Sequence, residues 1–283
     1  PTEIKKIDVI PEYLVKGKLK KSYTKTKQAF NVPWMGVVAM AFAKYYNFYN
    51  ALCKYTHPLS NSIEFNILCK KLVNISKKKA LELKPKPIIK DLKKIGYSSY
   101  EINEICEVNQ IFTVGNMPYL IMATIARIFL EKGELTNFSS FKNDFNIAPS
   151  NKSALLLIEQ HQADATLKEL YKSIKTNLGL PFVNTDYRAF ARWPSYFILA
   201  WDMFLPYLIS NEYEKKVSEI HKFLIKEVLL LPNPNKIRSN EVIAAAKKDK
   251  KFGEIKNVVN LFQWLLPGLI TNVAFMREQI KDK

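Results

Sequence analysis

Two stretches of the chain read as variants of one another: residues 32–48, VPWMGVVAMAFAKYYNF, and residues 180–196, LPFVNTDYRAFARWPSY. Pro33 matches Pro181, Trp34 matches Phe182, and Ala41-Phe42-Ala43 matches Ala189-Phe190-Ala191. Lys44 then meets Arg192 and Tyr45 meets Trp193, but Val38 meets Asp186, a change from aliphatic to acid. The correspondence runs on through Leu59-Ser60-Asn61 and Ile209-Ser210-Asn211, Glu104-Ile105 and Glu254-Ile255, Phe112 and Phe262, and Pro118 and Pro267. Its offset stays within 148 to 150 residues. Repetition at a long fixed period implies two copies of one supersecondary unit. Two copies are too few for a solenoid, so the expected architecture is an all-α, internally duplicated pseudo-dimer about a rough twofold.

Apolar residues recur at helical spacing, and alternating strand patterns are lacking. Helices are expected near 34–54, 61–83, 99–114, 117–131, 153–177, 186–208, 211–230, 239–248 and 253–280. Asn61-Ser62-Ile63-Glu64, Ser98-Ser99-Tyr100-Glu101 and Asn211-Glu212-Tyr213-Glu214 have capping-box spacing, with Asn61 and Asn211 as caps. Gly115, Gly133 and Gly179 read as helix stops. The expected organisation is an arm over 1–29, a first repeat over 30–131, a linker over 132–152 and a second repeat over 153–283, integrated into one domain.

The formal net charge is +17, carried almost entirely by lysine. Scattered lysine runs without interleaved aromatics fit a solvated basic face better than a nucleic-acid interface. Binding of nucleic acid or another polyanion stays open as the alternative function. A positive field draws small anions in either case. No uninterrupted apolar run has the length of a membrane span, and no leader pattern opens the sequence. Cys53, Cys69 and Cys106 lack pairing or metal spacing, so a reduced, cytoplasmic setting is expected. His57, His161 and His221 are isolated, and no phosphate loop, zinc motif or nucleophile elbow occurs.

Asp186 lies in helical register with Phe190, Trp193 and Phe197, a core-facing stripe. A carboxylate there is costly unless paired or hydrogen-bonded. Asn184-Thr185-Asp186 is either a capping sequence or the seat of chemistry. Asn116, in GNMPY, poses the same choice, and the other copy has Leu265 in its place. Pro33, Pro118, Pro181 and Pro267 are expected at helix starts, where converging free amides would form an anion site. Trp34, Trp193, Trp201, Trp264 and Phe262 are expected in the core, with Trp34 and Phe262 as candidates to line a pocket.

Taken together, VPW at 32–34, NMPY at 116–119 and LPFVNTDYRAFARWPSY at 180–196 resemble the group I D,L-2-haloacid dehalogenases over residues 30–280. The resemblance implies a helical pseudo-dimer with its active site between the repeats. It implies hydrolysis of 2-halocarboxylic acids to 2-hydroxy acids by direct water attack, with inversion and no ester intermediate. Asp186 would activate the water and Asn116 would help hold it, while Trp34, Val37, Tyr119, Thr185 and Phe262 would fall around the substrate. No cofactor or metal is implied. The partner would be a small halogenated carboxylate, with neither nucleic acid nor membrane, and the protein a monomer or homodimer. A tyrosine at 262 and an aromatic at 37 would suit the family better, so Phe262 and Val37 bear on substrate size. A descendant acting on another small organic acid is a further alternative.

Overall fold

The computed structural model describes residues 7–143 and 155–281, and every regular element among them is a helix. In chain order these are α1 (Gly17–Phe30), α2 (Val37–Ala43), α3 (Tyr46–Ser60), α4 (Ile63–Glu82), α5 (Ile89–Ile95) and α6 (Ser99–Leu130). There follow α7 (Ala165–Leu178), α8 (Thr185–Phe190), α9 (Pro194–Leu208), α10 (Asn211–Val228), α11 (Ser239–Lys248) and α12 (Phe252–Gln279). Two isolated bridges, Ser62 with Asn143 and Asn137 with Pro232, pin the segment after α6. Residues 144–152 of the expected linker lie outside the described residues.

The chain divides into two units. The first holds the described residues up to Leu72, those of Gly115–Ala154, and His221–Pro267; the second holds Val73–Val114, Leu155–Ile220 and Gly268 onward. In the first unit α3 packs against α1, α2 and α11, around Phe42, Phe48, Leu52 and Leu59, all fully buried. Phe42 and Phe48 meet edge to face at 5.7 Å. In the second unit α9 packs against α7 and α8, and Phe190, Phe197, Trp201 and Phe204 form its centre. The Trp201 indole N–H donates to Ser173 Oγ at 3.1 Å, which removes the cost of burying it. α6 and α12 have the length and apolarity of membrane spans, but most of their residues are buried within the fold.

Several boundaries differ from expectation, each for a local reason. The helix expected over 34–54 is two helices, with Tyr45 at φ −98°, ψ 85° between them. The helix expected over 186–208 also breaks, at Trp193 (φ −118°, ψ 81°) before Pro194. A residue preceding proline is pushed out of the helical region. Conversely, α6 runs through Gly115 and Pro118, and α12 runs through Pro267. Gly115 is therefore not a stop, and Pro118 and Pro267 are not helix starts. The carbonyl that Pro118 deprives of a partner belongs to Val114, an exposed residue. The helix expected from 153 begins at Ala165, where the Asp164 side chain accepts the Leu167 amide at 2.8 Å.

Two caps sit one residue earlier or later than expected. Ser62 Oγ accepts from the Phe65 amide, and Ser210 Oγ accepts from the Tyr213 amide, each at 3.2 Å, so serine rather than asparagine caps α4 and α10. The Ser98–Glu101 box forms as expected: Glu101 takes the Ser98 amide at 2.8 Å and Ser98 Oγ takes the Glu101 amide at 3.2 Å. α1 and α5 escape the periodicity reading. α1 is lysine-rich and buries only Tyr23, Thr26 and Phe30, while α5 has seven residues and buries two.

Candidate functional site

In the second unit, Thr185 opens α8 and Asp186 follows in its first turn. Asp186 is only 2% exposed, so the core-facing register is real. Its neighbours on α8 are held by ring contacts. Tyr187 stacks on Phe197 at 5.8 Å and 18°, and its hydroxyl accepts from Asn272 Nδ2 at 2.9 Å. Phe190 meets Phe112 at 5.9 Å. Burial drives the Tyr187 phenol far above its ordinary value, so it stays protonated and serves as a fixed support. Arg188 spans the helix start: Nη1 donates to Glu159 at 2.6 Å and Nη2 to Thr185 Oγ1 at 3.2 Å. The Thr185 hydroxyl is thereby oriented by the protein itself.

Asn184 was expected as part of a capping sequence. It occupies the N-cap position but makes no side-chain capping bond. It is 4% exposed, and its Oδ1 is buried without a hydrogen-bond partner. An orphaned buried amide oxygen calls for a reason beyond folding. The signal in the sequence is the contrast with the other copy, which has Gly36 at this place.

In the first unit, Trp34 and Tyr119 come together. The Tyr119 hydroxyl donates to the Trp34 carbonyl at 2.6 Å, and the two rings lie 6.0 Å apart. Both are buried, at 4% and 1% exposure. Gly115 matters here for its missing side chain, since a Cβ would fall 2.3 Å from the Trp34 ring. Asn116, the next residue of α6, is buried. Val37 is half-buried at the first position of α2. Phe262 is 1% exposed and packs edge to face on Phe42 at 6.1 Å.

Other polar features are engaged elsewhere. A cavity in the first unit is lined by Asp8, Lys44, Tyr45, Glu254 and Asn257. Its charges satisfy one another, with Tyr45 donating to Glu254 at 2.5 Å and Lys44 lying near both Asp8 and Glu254. None of the expected site residues lines it. Trp264, expected in the core, is 54% exposed and stacks on His221 at 4.0 Å. Among the described residues no group of three or more His, Cys, Asp or Glu side chains is placed to hold a metal ion.

These features can be set beside known proteins. No protein-family model matches the chain. A protein of Rhizobium sp. (strain NHG3) named (R)-2-haloacid dehalogenase is 34% identical over 245 residues, 86% of this chain and 95% of that one. The chain belongs to the D,L-2-haloacid dehalogenase family. A Pseudomonas putida protein of the same name is 29% identical over 279 residues, covering 95% of this chain and 91% of the other. Solved structures of a D-2-haloacid dehalogenase mutant and of a D-2-haloacid dehalogenase in complex with L-LA each match with a TM-score of 0.91 and 28% identity, over 99% of this chain and 98% of theirs. The family is one of hydrolases acting on carbon–halide bonds.

Proposed function

We propose that this dehalogenase hydrolyses 2-haloalkanoic acids to 2-hydroxy acids, with Asp186 as general base on a water that attacks the α-carbon directly. The observation that carries the reading is a carboxylate buried to 2% exposure in the first turn of α8, in a chain whose relatives are named 2-haloacid dehalogenases. Water's proton passes to Asp186 as the carbon–oxygen bond forms and the carbon–halogen bond breaks. The halide departs with the bonding pair and the carbon inverts. General-base help is worth roughly 10²–10⁴-fold, so positioning supplies much of the rest. Asn116 is the amide that holds the water, and the unsatisfied Oδ1 of Asn184 gives the water a further acceptor beside Asp186 in the chain. Trp34, Val37, Thr185 and Phe262 bound the substrate, and the net positive charge favours an anionic one.

The relatives' names favour the (R) enantiomer. We further infer that the chain arose by duplication. Helices α1 to α4 start at residues 17, 37, 46 and 63, and α7 to α10 start at 165, 185, 194 and 211, each 148 later. The two units also draw on corresponding segments of the chain.

The test is halide release from (R)- and (S)-2-chloropropionate, with the configuration of the lactate determined. Halide from the (R) acid with (S)-lactate as product is expected; no halide from either acid overturns the proposal. A single turnover in H₂¹⁸O settles the route of attack. Direct attack labels the first lactate, whereas an ester intermediate labels the protein.

A further inference from the structure

We propose that Gly115 and Tyr119 of α6 form a clamp that fixes the depth of the Trp34 indole and so sets which substituent on the α-carbon the enzyme accepts. The proposal rests on the function argued above. Residues four apart share a helix face, so Gly115 and Tyr119 address the same neighbour. That neighbour is the turn leading into α2. Tyr119 Oη donates to the Trp34 carbonyl at 2.6 Å. The Tyr119 ring lies flat on Gly36, with three ring carbons 3.0 Å from where a Cβ would sit. Met35 N–H donates to Glu12 Oε2 at 2.7 Å, and Lys27 holds Glu12 at 2.6 Å. Trp34 and Met35 are thus fixed through their backbones, and Gly36 lies against the Tyr119 ring.

Gly115 acts on the side chain. A Cβ there would stand 2.3 Å from Trp34 Cη2 and 2.7 Å from Cζ3, so the indole seats in the space that glycine leaves. Glycine inside a helix costs about 1 kcal/mol relative to alanine, which gives this glycine a packing reason. Asn116 lies between the two clamp residues in sequence, so one stretch of helix carries both the water-holding amide and the grip on the hydrophobic wall. Tyr119 is then a positioning residue whose hydroxyl is already committed to the turn. The matched positions in the other stretch are Trp264 for Gly115 and Gly268 for Tyr119. The clamp is accordingly not a requirement of the helical framework.

The test compares kcat/KM for chloroacetate, (R)-2-chloropropionate and (R)-2-chlorobutyrate in the full chain and in Tyr119→Phe and Gly115→Ala. Releasing the turn lets the indole retreat, so Tyr119→Phe raises the chlorobutyrate-to-chloropropionate ratio about fivefold. A methyl at 115 drives the indole forward, so Gly115→Ala lowers that ratio about fivefold and favours chloroacetate. Shifts of this size fit the roughly 10–200-fold that one methylene commands in an apolar site. A merely structural defect lowers all three substrates by one factor and leaves the ratio alone. Ratios within about twofold of wild type in both variants overturn the proposal. A wild-type chain that releases no halide refutes the function and the selectivity together. Hydrogen exchange over residues 32–40 then judges the clamp alone, with faster exchange in Tyr119→Phe supporting it and unchanged exchange refuting it.

Discussion

The turn that leads into α2 and the turn that leads into α8 are built from matched residues and put to opposite uses. At the first, Gly36 brings the backbone against the Tyr119 ring, Trp34 fills the space over Gly115, and Val38 is an ordinary core residue at 3% exposure. At the second, Asn184 replaces the glycine and Asp186 replaces the valine, and both side chains are buried. Gly268 stands where the clamping tyrosine would be, and Tyr213 approaches it instead, with its hydroxyl on Asn272 Oδ1 at 2.6 Å. The first turn is finished in apolar contacts and hydrogen-bonded backbone. The other carries buried polar groups that the helical framework alone does not require.

Exchanging single residues between the two turns should break this division. Asp186→Asn keeps shape and removes the proposed base, so turnover should fall by about 10²–10⁴-fold with the melting temperature nearly unchanged; halide release and circular dichroism check both halves. A variant that melts far below wild type would show that the carboxylate is structural. The complementary change, Val38→Asp, places a charge at a position that is 3% exposed. It should cost about 3 kcal/mol or more and add no activity beyond that of the folded fraction, as read from denaturant unfolding and halide release.

Much of this contrast was legible in the residues themselves. The burial of Asp186 followed from its register with Phe190 and Phe197, and a restart at Pro194 was open because proline constrains the residue preceding it, although the expected helix ran over 186–208. The matching break at Tyr45 was not readable, because residue 46 is a tyrosine. Its cause lies in Asp249, whose carboxylate accepts the Asn47 and Phe48 amides from about two hundred residues away. The passage of α6 through Gly115 and Pro118 was hidden in the same way, since local propensity reads glycine and proline as punctuation while the reason for Gly115 is the Trp34 indole. Asn184-Thr185-Asp186 left capping and chemistry both open, because its residue types suit either. The unpartnered oxygen of Asn184 is a property of packing, which spacing does not encode.

The two breaks differ in how the following helix is capped, and that difference is measurable. Asp249 takes the Asn47 amide at 3.1 Å, the Asn47 side chain at 2.8 Å and the Phe48 amide at 2.9 Å. At α9 the Tyr97 hydroxyl takes the Tyr196 amide at 3.2 Å and bonds Ser195 Oγ at 2.8 Å. Pro194 has no amide to satisfy. Asp249→Ala should therefore cost about 2 kcal/mol, at the upper end for a helix cap, and Tyr97→Phe about half as much. Urea denaturation of both variants ranks them, and equal losses would remove the distinction. Asp249→Asn, which keeps one acceptor, should fall between Asp249→Ala and wild type.

The smallest expected effect separates the two units by pH. His57 and His221 both belong to the first unit. Burial pulls each down to about 4, with Lys25 adding to the effect at His57 and Arg127 at His221. The second unit's described histidine, His161, is exposed. A folded value near 4 lies below the unfolded value of about 6.5, so the unfolded chain binds protons more readily in that interval. The stability each neutral imidazole represents is complete above about pH 6.5 and is lost as pH falls toward 4. Partial solvation reduces each contribution to about 1 kcal/mol at pH 5. Melting temperature should therefore decline from pH 7 to pH 5, and the decline should be shallower in His57→Gln and His221→Gln. Carboxylates titrate over the lower part of this range in wild type and variants alike, so the difference between variants isolates the histidines. A slope that neither His57→Gln nor His221→Gln makes shallower would mean that these two imidazoles do not carry the acid sensitivity.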